Sequence, residues 1–120
     1  MGGLVLGGPE DRFVWMPVTV PVKTDGGKTE RIRFEAKLRD PGQERVSEIF
    51  EAQPNDFELL SEMLAGWRNV KGIKMPDGSE ISYDNEEQRE GFLGYTGVAA
   101  AIARAWIDMV QTPGLGRRKN

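Results

Sequence analysis

The sequence predicts an α+β fold, an N-terminal antiparallel β-hairpin packed against three or four C-terminal helices. Three observations lead there. Between Arg31 and Arg39 the chain alternates, with Ile32, Phe34, Ala36 and Leu38 pointing one way and Arg31, Arg33, Glu35, Lys37 and Arg39 the other. That period of two belongs to a strand with one face on a core and one in water. Upstream, Phe13–Val22 is rich in β-branched and aromatic residues and is joined to this strand by a glycine-containing loop. Downstream of Asp40 the apolar spacing lengthens to the helical period. Strand and helix do not alternate along the chain, so a doubly wound parallel sheet is not expected.

Residues 1–10 contain five glycines or prolines, and 1–11 read as a flexible arm. The first strand carries Pro17 and Pro21, which lack the amide proton an inner strand donates, so it is expected at an edge or broken by a bulge. Lys23–Thr29 forms the loop, where Asp25-Gly26-Gly27 tolerates positive φ. A lone hairpin is marginal in water, so helices must cover its apolar face. Asp40 can cap and Pro41 can start a helix over Gln43–Ala52, with Val46, Ile49 and Phe50 on one side. Pro54-Asn55 ends that helix and caps the next, expected over Asp56–Trp67 with Phe57, Leu60, Leu64 and Trp67 as its apolar stripe and Gly66 as its stop. Short β-compatible pieces around a Met75-Pro-Asp-Gly78 turn follow. Ser82 or Asp84 then caps a short acidic helix near Asn85–Leu93. The last helix runs from about Thr96 to Gln111, with Val98, Ile102, Ala105, Trp106 and Met109 as its stripe. Residues 12–111 thus form one domain, and 112–120 a flexible basic tail.

Length and composition narrow the chemistry. At 120 residues there is room for one core. The chain has no cysteine and no histidine, which removes disulfides, zinc and iron–sulfur sites, thiol nucleophiles and imidazole acid–base catalysis. No catalytic, cofactor or metal site is expected, and the chain reads as a non-enzyme. No segment approaches the ~20 apolar residues of a membrane helix, and the start lacks the basic n-region of a secretory signal. The cytoplasm is the expected compartment, with no membrane partner.

Charge is uneven. Residues 1–40 hold seven basic and six acidic side chains, 41–95 five and twelve, and 96–120 four and one. The net charge of −3 disfavours a nucleic-acid partner. So does the basic face of Arg31, Arg33, Lys37 and Arg39, because its strand's aromatic, Phe34, is in the opposite phase and stacking needs exposed rings. The cluster Asp84, Glu86, Glu87 and Glu90 sits in the first turns of a polar helix, where negative charge complements the helix dipole. Asp77–Glu80 lacks the alternating oxygen ligands of a calcium loop, and the paired glycines lack the Lys-Ser/Thr of a phosphate loop.

One ordered set of motifs is more particular. Phe34-Glu-Ala-Lys-Leu-Arg39 is followed by a helix ending in Gly66-Trp67, the Asp77-Gly78 turn, Ile81-Ser-Tyr-Asp-Asn-Glu-Glu87, and an alanine-rich final helix ending near an aromatic. Over residues 12–110 this resembles the small tail assembly chaperones of tailed phages and prophages. That family's "Phe-Ser-x-Glu-Asn" reads Ile81-Ser-Tyr-Asp-Asn85 here, and the glycine-rich start lies outside its pattern. The resemblance implies a non-enzymatic protein that binds the tape measure protein and helps bring tail-tube subunits to it. Related systems make an extended product by ribosomal frameshifting, which Arg118-Lys119-Asn120 is compatible with. The expected partner contacts are Phe57, Leu60, Leu64 and Trp67, which are also that helix's core candidates, so at most part of the stripe is free. A small regulatory or nucleic-acid-associated phage protein, using the basic strand face and the Arg117-Arg118-Lys119 tail, is the alternative. Self-association is left open.

Overall fold

A computed structural model of the chain describes residues 12–111. The expected arm at 1–11 and the basic tail at 112–120, with the Arg118–Asn120 end, lie outside the described residues. The fold is α+β, a three-stranded antiparallel sheet in the order β1-β2-β3 with four helices. β1 (Phe13–Lys23) and β2 (Thr29–Arg39) form the expected hairpin, and Phe13 pairs with Arg39 and Lys23 with Thr29 without a break in register. A single 3-10 turn, Asp25–Gly27, joins them, with Gly26 and Gly27 at φ of +83° and +80°. β1 is an edge strand, as its prolines require, and the buried side chains of β2 are Ile32, Phe34, Ala36 and Leu38.

The third strand corrects the sequence reading. Helix α2 is Asp56–Met63, and the chain passes directly into β3 (Leu64–Lys71), which pairs with β2. Gly66 is therefore not a helix stop but a strand residue opposite Lys37, and Leu64 and Trp67 leave the helix altogether. β3 hides its period because the ladder carries two register shifts, between Arg33 and Glu35 and between Lys37 and Leu38. Its side chains consequently do not alternate cleanly, and Leu64 also continues a helical spacing from Leu60.

The helices otherwise follow local chemistry. α1 (Gln43–Ala52) has Gly42 rather than Asp40 at its N-cap, with no side-chain cap bond, and Pro41 precedes the helix; the Gly42 N–H donates to Asp40 Oδ1 at 3.1 Å. The helix ends at Gln53 in a left-handed conformation. α2 has a complete capping box: Glu58 N–H donates to Asn55 Oδ1, and Asn55 N–H to Glu58 Oε1. α3 (Glu86–Leu93) is capped by Asn85 rather than by Ser82 or Asp84, since Asn85 Oδ1 accepts from Gln88 N–H. α4 (Val98–Gln111) buries Val98, Ile102, Ala105 and Trp106 against β1 and α2, while Met109 is half-buried. Trp106 is fully buried, and its indole N–H donates to the Arg39 carbonyl at 2.9 Å. Helices thus cover one face of the sheet. The other is open to solvent.

Candidate functional site

The four residues expected to contact a partner are dispersed. Leu60, Leu64 and Trp67 are core, and only Phe57, 57% exposed, faces solvent. The buried face of α2 is Leu59, Leu60 and Met63, a rotation away from the stripe through Phe57. Trp67 packs edge-to-face on Phe92 (4.9 Å between centroids) and Tyr83 (5.1 Å), and Phe34 meets both Trp67 and Phe92. Its indole N–H donates to the Ile81 carbonyl at 3.0 Å, and Tyr83 Oη donates to the Leu64 carbonyl. These bonds fasten the irregular 72–85 segment along the free edge of β3. The Gly66-Trp67 motif is therefore a structural lock rather than an exposed anchor.

Exposed apolar surface lies elsewhere on the helical layer. A groove of about 230 Å³ is lined by Ile49, Phe50, Pro54, Leu59, Trp106 and Ile107, with Gln53 and Asp56 at its rim. Phe50 stands partly exposed against Trp106 with centroids 6.1 Å apart, and Phe57 projects from the same short helix as Leu59. α1 and α2 carry Glu44, Glu48, Glu51, Asp56, Glu58 and Glu62 against one basic residue, Arg45. Arg45 is already committed, its Nη2 and Nε on Glu62 at 2.6 and 2.9 Å and its Nη1 on Glu48 at 3.0 Å. The Arg45 bonds hold the Glu62 carboxyl below its ordinary range. The groove is apolar with one carboxylate, Asp56, in its lining, on helices whose charge is mostly acidic, and it suits an amphipathic helix with basic flanks.

The open sheet face has the opposite character. Phe13 and Trp15 project from β1 beside Arg39 and Lys37 of β2, and β3 adds Arg68 and Lys71. The Arg68 guanidinium lies 3.8 Å from the Trp15 ring centroid, and Lys37 Nζ is 5.1 Å from that of Phe13. The exposed rings that β2 lacks are thus supplied by its neighbour. The signal was in the sequence: Phe13, Trp15, Pro17 and Thr19 share one phase, and the hairpin register aligns that phase with the cationic side of β2. Among the described residues Glu35 is the carboxylate that the strands place on this face, and Arg68 Nε and Asn69 Nδ2 donate to it at 2.6 and 3.2 Å; Glu80 and Asp84 approach the face from the 80–84 segment. The Arg68 and Asn69 bonds hold Glu35 below the ordinary carboxylate range. Beside Trp15 a depression of about 370 Å³ passes over Gly66, between Lys37, Arg68 and the 80–84 segment.

The remaining carboxylates show ordinary turn and helix chemistry. Asp77 is held low by the hydroxyl and N–H of Ser79 in its own turn. Among the described residues no group of acidic side chains is placed to hold a metal ion, and no helix is long and apolar enough to cross a membrane. Comparison with protein-family models, with curated proteins and with solved structures finds no match to the chain.

Proposed function

We propose that the protein is a non-enzymatic phage or prophage tail assembly chaperone acting in the bacterial cytoplasm. In this reading it holds a helical segment of the tape measure protein and helps recruit tail-tube subunits. The ordered motifs from Phe34 to the alanine-rich last helix support the family reading, and the groove between α1, α2 and α4 supports the manner of binding. That groove is the observation on which the reading rests most: an apolar floor with the partly exposed Phe50 and with Asp56 in its lining, on acidic helices of which α2 also exposes Phe57. A long helical client exposes apolar stripes that aggregate unless covered. A groove taking anchors at i, i+3 and i+4 spacing covers them, and the acidic charge of its helices selects segments with basic flanks.

Trp67 is unsuitable as a probe of this site because it is core; Phe50 and Phe57 replace it. Co-expression pull-down with the tape measure protein should capture the client with the wild-type chain. Capture should be lost with Phe50→Ser/Phe57→Ser while circular dichroism stays native. Failure of the wild-type chain to capture the client would remove the family reading. Full capture by the folded double variant would remove the groove.

A further inference from the structure

We propose that the open face of the sheet is a second docking surface, built for an acidic, extended segment of a partner protein. One apolar or aromatic side chain of that segment would seat beside Trp15 above Gly66. This goes beyond the helical groove and does not depend on it, since the two surfaces lie on opposite layers of the fold and carry opposite charge.

Charge complementarity identifies the occupant. Arg31, Arg33 and Lys71 form a cationic group toward the hairpin end, brought together by the pairing of Arg33 with Lys71. They are exposed, and among the described residues no carboxylate forms an ion pair with any of them. Lys37 and Arg68 extend the group to the rings of Trp15 and Phe13. Alternate residues of an extended strand are about 6.6 Å apart, so carboxylates at alternate positions of an extended peptide match the Arg31–Arg33 spacing. At the aromatic end, Gly66 offers no side chain, and the depression it floors is walled by the Trp15 ring. Rigid aromatic surface beside cations is the composition of interface hot spots.

Three features favour a protein segment over a single-stranded nucleic acid. Glu35 sits in the middle of the face, held by Arg68 and Asn69; a peptide can set an uncharged residue opposite it, whereas a phosphodiester backbone carries a charge at every link. Arg68 already covers the Trp15 ring, so a base could stack there only by displacing it. The helical layer is strongly acidic and repels a long polyanion, whereas a short segment can set its carboxylates on Arg31, Arg33 and Lys71 and only its apolar side chain in the depression, which Glu80 and Asp84 also line.

The test is fluorescence anisotropy on the full chain with a fluorescein-labelled peptide alternating Glu with Leu and Phe. Controls are the same peptide with Gln for Glu, and an oligo-dT. The acidic peptide should bind saturably and more tightly than either control. Arg33→Glu/Lys71→Glu should weaken it at least about tenfold, and Trp15→Ala by roughly tenfold. All three positions are solvent-facing, so folding should survive, as thermal melts will verify. Phe50→Ser/Phe57→Ser should leave this binding unchanged, which separates failure here from failure of the groove. No saturable binding, equal binding of the Gln peptide, tighter binding of oligo-dT, or full binding by the charge-reversed variant would each overturn the proposal. So would a concentration-dependent rise in mass that the same variants abolish and the peptide competes, because that assigns the face to a second copy of the chain.

Discussion

At the level of single residues, the most informative position is one whose role changed. The sequence predicts Trp67 as the last residue of the apolar stripe through Phe57, Leu60 and Leu64. Burial against Phe34, Tyr83 and Phe92, with its N–H on the Ile81 carbonyl, makes it a fastener between β3 and the 72–85 segment. Nothing local to Trp67 reveals this, because Phe34 and Phe92 come from distant parts of the chain. Trp106 was legible as core because four other stripe residues of its own helix point the same way. Gly72 gives a sharp test at this scale. Its φ is +97°, and a Cβ there would come within 2.3 Å of the Arg31 carbonyl oxygen. Gly72→Ala should therefore cost more than about 1 kcal/mol, read as a lowered urea midpoint with unchanged slope; an unchanged midpoint would show that this close approach does not constrain the fold.

Among the elements, the hairpin and α1 were readable in advance because each is specified locally: strict alternation in β2, prolines in β1, and a helical period in α1, although its expected cap, Asp40, is not the N-cap. The passage from α2 to β3 was not. Its boundary is set by pairing with β2, and the register shifts erase the alternation that would have announced a strand. The same tertiary logic places Glu62 of α2 in an ion-pair group. Arg45 of α1 and Arg39 of β2 both reach it, the latter at 3.8 Å. Because the folded-state pKa of Glu62 is depressed, the unfolded chain binds its proton first as pH falls. The stabilisation is present above the ordinary value near 4.5 and is lost as pH drops from there through the folded value. Glu62→Gln should lower stability at neutral pH by up to about 1 kcal/mol, since Arg45 is well exposed. The difference from wild type should shrink in denaturant titrations below that value, and a gap that persists at low pH would indicate packing rather than charge.

For the whole molecule, the one-sided covering of the sheet governs both stability and surface. β2 is the central strand with its apolar face wholly buried, and α4 lies over β1, whereas residues 72–85 contribute no strand or helix and rely on side-chain bonds. Native-state hydrogen exchange should therefore be slowest for amides within Ile32–Leu38 and the middle of α4, and fastest across 72–84. Slow exchange across 72–84 would contradict this account of how that segment is held. The separation of an acidic helical layer from a cationic sheet face was only half legible, as blocks of charge along the chain, because the sequence does not say which blocks share a side. The unbroken pairing of β1 with β2 turns the missing N–H groups of Pro17 and Pro21 toward the free edge. An incoming strand finds no donor at those two points, so the molecule is poorly suited to lengthening its sheet with a partner's backbone. Contacts made through side chains on flat faces can instead be released one at a time, with no hydrogen-bonded ladder to unzip. Residence times on such faces are set by a few anchors.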